Sequence, residues 1–395
     1  MAHAKLSAYE KGDMTHGHIL KKILLFSLPI LGGSIFTQLY NVVDSLVVGN
    51  YVGSTPQEAA NALAAVGSSF AISMVCNSIF AGLGLGSRGV GSQLYGAGKT
   101  KELSKTVNTT FFLALIIGGL LTVVGLLLSR PLLELLGTPE EIMKDATIYL
   151  QIVFIGSIGH LFYNMGSAVL RGLGDSKWPM YFLIFCSIIN IVLDLVFVLA
   201  LHWDVAGVAW ATIIAQLVSA IGVVVRIARG GYHVTLTKET LRLDGQKAVM
   251  IAKIGIPSAV TMLISSVGML VIQSFANSFG ASFVATMTVA MKIDGFAILP
   301  LQAFGTAITT FVGQNMGAGR DDRVKTGVRQ TCLLIIAIGL VMGVIMYLFG
   351  YQLVGLFTKD EVVREYGKTA LRIICIIYWA MGLQQAFSGI MRGAG

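Results

Sequence analysis

The chain has 395 residues, 55% of them hydrophobic and only 12% charged, with a net charge of +8 and a mean hydropathy of +0.78. A soluble domain carries about a quarter charged residues, so this composition excludes a water-soluble globular fold. The positive charge lies between long apolar runs, with no aromatic-laced basic cluster, which excludes a nucleic-acid-binding surface. The four cysteines, Cys76, Cys186, Cys332 and Cys375, stand singly within apolar runs, which excludes a disulfide framework or a thiolate metal cluster.

The first 18 residues are polar and are expected to be mobile. Ten apolar runs follow, at 20–48, 61–86, 106–128, 145–168, 178–200, 205–227, 250–276, 283–307, 328–350 and 367–390. Each is long enough to cross about 30 Å of hydrocarbon as a helix. The runs are continuous rather than alternating, so an outer-membrane barrel is not expected. The first is too long for the apolar core of a signal peptide.

Taken in order, the first run carries Thr37, Asn41 and Asp44 at i, i+4 and i+7, one polar stripe ending in a carboxylate. The second ends in Gly84-Leu85-Gly86-Ser87-Arg88-Gly89. That matches a dinucleotide-binding pattern but follows a membrane-length run rather than a short strand; these glycines are expected to let helices approach closely. His160, in the fourth run, is expected to pack. The fifth run carries Ser187, Asn190 and Asp194, the last two i and i+4 on one face.

A carboxylate at bilayer depth costs about 2.5–3.5 kcal/mol even on insertion scales, so it is normally turned inward and used. Two polar stripes that each end in an acid therefore predict a cation or proton site rather than a structural network. Oxygen donors suit Na⁺. A proton fits equally, because two neighbouring buried carboxylates resist carrying two charges.

Residues 228–249 read as a linker, with a short surface helix predicted over 237–243. In the seventh run, Ser265, Ser266, Gln273 and Asn277 either line a cleft or bond between helices. Lys292 and Asp294, in the eighth, are i and i+2 and do not face each other on a helix; they either line a substrate cleft or form interhelical links. Pro29, Pro257 and Pro300 are bending points or fixed kinks. The 16 methionines suit a pocket that accepts varied apolar shapes, most of them being ordinary packing.

The chain also repeats itself. Ser92-Gln93-Leu94-Tyr95-Gly96-Ala97-Gly98-Lys99 recurs as Gly313-Gln314-Asn315-Met316-Gly317-Ala318-Gly319-Arg320, and Leu170-Arg171-Gly172-Leu173-Gly174 as Met391-Arg392-Gly393-Ala394-Gly395. Both copies are displaced by 221 residues. Two halves of six spans enter from the same side, as parallel repeats enclosing a central cleft. By that symmetry two further spans are expected after Gly395. The domains are read as a tail (1–19), an N-terminal lobe of six spans (20–227), a linker (228–249) and a C-terminal lobe with four spans present (250–395). Alternate connections hold 21 of the 28 lysines and arginines on one side, which predicts a cytoplasmic N-terminus.

With these features the chain resembles the multidrug and toxic compound extrusion (MATE) family, of the DinF/MepA-like bacterial branch. The resemblance is carried by the proline-bearing first and seventh spans, the Gln-x-x-Gly-Ala-Gly loop in each half and the Arg-Gly-x-Gly-Asp turn at 171–175. It implies an all-α polytopic membrane protein of two pseudo-symmetric six-helix lobes, the second lacking its last two helices. It also implies an antiporter in the bacterial plasma membrane that exports amphipathic, cationic organic compounds in exchange for Na⁺ or H⁺. The family's cation site maps onto Asp44, Asn190, Asp194 and Thr212. Thr37, Asn41 and Ser187 are additional lining candidates, and Gln273, Asn277, Lys292 and Asp294 are candidates for the substrate cleft.

No enzyme activity, cofactor or nucleic-acid partner is expected; the partners are small organic cations and membrane lipids, and the chain is expected to be a monomer. A lipid-linked precursor flippase is the alternative, but it needs a strongly basic cleft, for which Lys292 is the only evident candidate. A polytopic membrane enzyme lacks a catalytic cluster, and a channel does not need paired proline-bearing helices. No Walker A sequence is present, so ATP hydrolysis is not expected to supply the energy.

Overall fold

The computed structural model of the chain describes residues 12–51, 56–232, 234–236 and 242–395, with side chains described for all of these except residues 40–51, 56–60, 63, 270, 273, 274, 277, 281 and 282. The described residues are almost entirely helical. The helices are α1 (Ile19–Tyr51), α2 (Pro56–Ser68), α3 (Phe70–Gly96), α4 (Thr100–Leu135), α5 (Glu140–Ile155), α6 (Ser157–Gly172), α7 (Lys177–Leu195), α8 (Asp204–Arg229), α9 (Gly245–Asn277), α10 (Ala281–Ala297), α11 (Leu299–Gly317), α12 (Asp321–Gly355), α13 (Glu361–Ile374) and α14 (Tyr378–Ala394).

Among these are nine helical stretches long and apolar enough to cross a membrane, and α5 with α6 makes a tenth span bent by 47°. All ten predicted runs are thus accounted for. The predicted surface helix falls largely on 237–241, outside the described residues; Arg242–Asp244, just beyond, is not helical.

Two pseudo-equivalent helix pairs join the halves. α1 packs on α11, where Ile23, Phe26 and Ile30 share a core with Leu301, Ile308 and Phe311. α9 packs on α3, and here small residues set the distance. A Cβ at Gly82 would lie 2.5 Å from the Ala259 methyl, and one at Gly86 2.2 Å from the Ile251 carbonyl oxygen. The glycine run that imitated a nucleotide motif is therefore a close-packing face, as expected.

The repeated loops cross each other on the side where the chain begins. A Cβ at Gly96 would lie 1.9 Å from the Gln314 carbonyl oxygen, and one at Gly317 the same 1.9 Å from that of Gln93. Gln93 Nε2 donates to the Gly393 carbonyl at 2.8 Å, and Gln314 Nε2 to that of Gly172 at 3.1 Å. Gly172 and Gly393 are equivalent positions of the repeat, so each half reaches across to the same place in the other. The two lobes are shut against one another at this end.

The segment before α1 reinforces the closure, which corrects the expectation of a mobile tail for residues 12–18. Gln314 Oε1 accepts from Met14 N at 2.9 Å. Asn315 donates to the Met14 carbonyl, Arg320 to that of Thr15 and Arg323 to that of Gly17. Sequence polarity alone suggested solvation; these backbone groups instead pair with amide and guanidinium side chains of α11, α12 and the turn between them. The Asp13 carboxyl is held below its ordinary range: burial opposes ionisation, but hydrogen bonds from Thr15 and His16 outweigh it.

Asp294 on α10 bonds the hydroxyl of Tyr378 on α14, whose side chain is fully buried. This is the interhelical alternative of the two open for Asp294. Removing a buried partner costs about 1–3 kcal/mol. Tyr378→Phe is therefore expected to lower the thermal midpoint in detergent by several degrees, read by tryptophan fluorescence; an unchanged midpoint would show the bond to be dispensable.

Candidate coupling site and central cleft

The buried acid of the N-terminal half lies on α7. Asp194 is fully buried at 0% exposure, Asn190 one turn earlier at 1%, and Ser187 completes the face. Ser187 spends its hydroxyl on its own helix, donating to the Leu183 carbonyl at 2.9 Å. Thr212 enters from α8. Asn190 and Thr212 Oγ1 lie 3.3 Å apart, which ties the two helices together.

Turning the Asn190 amide over lets Nδ2 donate to Asp194 Oδ2 at 3.1 Å while the amide oxygen accepts from Thr212 N at 3.1 Å and Oγ1 at 3.3 Å. This orientation matches donors to acceptors. The Thr212 hydroxyl also lies 3.1 Å from the Val208 carbonyl. With one proton, it can serve only one of the two acceptors at a time. Two residues beyond Asp194 the helix widens into a π turn, Val196–Ala200, a local irregularity common at functional sites.

A carboxylate, an amide and a hydroxyl thus meet between α7 and α8, groups whose oxygens are of the type a hard cation prefers. Thr212→Ala removes one oxygen and is expected to weaken apparent affinity for the coupling ion about tenfold. The check is the ion concentration at half-maximal export; an unchanged value would remove Thr212 from the site.

α1 lies beside α7: a Cβ at Gly33 would meet Leu183 at 3.6 Å and Met180 at 3.7 Å. Asp44 and Asn41 lie on α1, but their side chains are outside the described residues. Thr37, half-buried, donates its hydroxyl back to the Gly33 carbonyl at 3.0 Å. Gln273 and Asn277 on α9 are likewise outside the described side chains. Lys292 is exposed, and Asp294 pairs with Tyr378 rather than with it.

One cavity reaches the site through Thr212, and a second lies between the halves. The first, of about 160 Å³, lies inside the N-terminal half and is lined by Asn77, His160, Thr212 and Gln216 among others. His160 Nδ1 sits 3.0 Å from Gln216 Oε1 and its ring packs on Phe80 with centroids 5.0 Å apart, in keeping with the expected packing role. The other, of about 500 Å³, lies between the halves, with Arg88, Thr261, Gln302, Gln384 and Arg392 in its wall. Ser265 and Ser266 line it as well, the first of their two expected roles. Asn77 lines both cavities and so stands between the acid site and the cleft.

Arg88 and Arg392 are the residues that sequence reasoning missed. They counted only as loop charges flanking the spans. Helix α3 runs on to Gly96 and α14 to Ala394, so both arginines lie within helices. The available signal was that both lie inside glycine-bearing stretches, Gly86-Ser87-Arg88-Gly89 and Gly389-Ile390-Met391-Arg392-Gly393, the pattern of close helix packing.

The MatE family model matches residues 29–196 and 257–395, most of the chain and both halves of the repeat. The chain belongs to the MatE family. MatE proteins are membrane transporters driven by cations, not enzymes, and need no cofactor. The chain is 33% identical over 388 residues to the probable multidrug resistance protein YpnP of Bacillus subtilis strain 168, covering 97% of this chain and 84% of that one. It is 24% identical over 381 residues to the FAD transporter of Shewanella oneidensis, covering 93% and 80%. Among solved structures it is similar to an outward-facing multidrug resistance MATE transporter of the MOP superfamily, with a TM-score of 0.87, 26% identity and 96% and 84% of the two chains covered. The helical, two-halved MatE architecture expected from the repeat is thereby shown.

Proposed function

We propose that the chain is a secondary antiporter that exports amphipathic organic compounds in exchange for Na⁺ or H⁺. The single observation that carries this reading is the fully buried Asp194 with Asn190 and Thr212, an ionisable group placed between two spans. Position in the helices supports Asp44 as the second acid. Gly33 of α1 adjoins Leu183 of α7; Asp44 lies eleven residues beyond the first and Asp194 eleven beyond the second. Helices running in the same direction rise equally, so the two positions stand at one level.

In this reading the coupling ion occupies Asp44, Asn190, Asp194 and Thr212 and biases α1 and α7. The lobes, at 20–227 and 250–395 with residues 228–249 between them, then rock about the shared cleft. Most of the basic connections lie on the side where the lobes are shut, which supports a cytoplasmic N-terminus in a bacterial plasma membrane. The protein works as a monomer among lipids.

A second reading, a flippase for a lipid-linked precursor, gains from Arg88 and Arg392, two basic residues in the wall of the cleft. The two readings part in everted vesicles. Ethidium and norfloxacin are loaded, and Na⁺ and pH gradients are imposed separately. The antiporter reading expects one gradient alone to drive at least one of the two compounds. Movement of neither under either gradient would reject it and leave the flippase.

A further inference from the structure

The central cleft lies where one lobe faces the other, and its charge does not match a cationic cargo. Arg88 comes from α3 of the first half and Arg392 from α14 of the second, and both line the same cleft. Arg88 is only 3% exposed, and its Nε has no hydrogen-bond partner. Arg171, also close enough to act on Arg88 electrostatically, has an unpartnered Nε too. Among the described residues, none of these three arginines makes an ion pair, and no acid lines the cleft.

A buried charge without a counter-charge is strongly unfavourable, and several of one sign more so. A cation entering here would add to the repulsion. An oxyanion would remove it, because the guanidinium fork matches a carboxylate or phosphate with paired hydrogen bonds. Asn77, Gln302 and Gln384 add amide donors around the same space, and Met74, Leu85 and Met262 supply an apolar wall.

We propose that Arg88 and Arg392 bind an oxyanion, carboxylate or phosphate, carried by the amphipathic cargo of this transporter. The inference rests on the cleft being the transport path, and it reverses the charge expected of the cargo. It also gives the two halves one shared ligand, held by one arginine from each.

The test is equilibrium binding to the purified full chain in phosphatidylcholine nanodiscs, with empty discs as the blank and no ion gradient. Two matched fluorescent pairs are titrated: flavin mononucleotide against riboflavin, and dansylglycine against dansylamide. Ethidium is the cationic control. At least one anion is expected to bind about tenfold or more tightly than its neutral twin, and more tightly than ethidium. Arg88→Gln and Arg392→Gln are each expected to erase that preference while the neutral twin binds as before, and Arg88→Lys to keep part of it. Should Arg88→Gln fail to fold, the less buried Arg392→Gln carries the test.

Phosphatidylglycerol added to the discs separates the two sources of oxyanion. Lost preference assigns the site to a lipid headgroup, and retained preference to a free anion; both sustain the oxyanion site. Neutral twins that bind as well as the anions, ethidium binding tightest, or a preference that survives both glutamine variants would overturn it. Because no gradient is used, a failure of ion-driven export leaves this result standing, and the reverse also holds.

Discussion

Asp194→Asn is expected to lower gradient-driven export at least about tenfold, with the amount of protein in the membrane unchanged. Asparagine has nearly the same shape as aspartate, so the packing of α7 on α8 is kept. What disappears is the charge, and with it the reason for an ion to enter. Asp194 is fully buried, and its neighbours Asn190 and Thr212 are already tied to one another across the two helices. The variant can therefore fold around the same network with an amide in place of the carboxylate.

The readout is norfloxacin or ethidium movement in everted vesicles under each gradient in turn. A merely structural residue at this place would show a loss of protein rather than of coupling. Export at the wild-type rate would mean that Asp194 does not couple the ion to the cargo.

The second large effect is conformational and lies at the crossing of the two repeated loops. Gly96→Ala or Gly317→Ala would place a methyl group 1.9 Å from a carbonyl oxygen of the opposite half. Backbone cannot give way there as a flexible side chain would, so the lobes must part. The shut state at this end loses population, and the state open at this end gains it. Moving a two-state balance from one extreme to the other takes about 5.5 kcal/mol, and a backbone clash of this kind on the pseudo-axis is of the right order to shift it substantially. Spin labels at positions 101 and 325, exposed on opposite halves near this end, are expected to report a longer mean distance in either variant. An unchanged distance distribution would show that the contact does not hold the halves together.

The spans were legible because lipid leaves a composition mark that no tertiary contact can overwrite. All ten apolar runs correspond to helical spans, the fourth as a bent pair of helices. Asn190 and Asp194 were legible for a different reason: two polar groups one turn apart in an otherwise apolar run share a face. Thr212 came only with the family resemblance, since a lone threonine in a span is as often a bond to its own helix, as Thr37 is here.

Arg88 was not legible as a cleft residue. A basic residue just past an apolar run reads as a marker of the membrane surface. It is the packing of α9 on α3, and the approach of α14, that covers it. Asn77 shows the same limit, because its standing between two cavities is a property of the helices packed around it and not of its own run. The repeat was visible in sequence, but the crossing it encodes was not. That two glutamines reach to equivalent glycines across the molecule needs the halves to be docked.

The most direct measurement is ion binding itself, without cargo or gradient. Purified wild type and Asp194→Asn are titrated with radioactive Na⁺ at several pH values, and proton release on adding cargo is recorded in weakly buffered solution. The wild type is expected to bind Na⁺ saturably or to release protons, and the variant to do neither. Equal ion binding or equal proton release by the two proteins would contradict the assignment of the coupling site to α7.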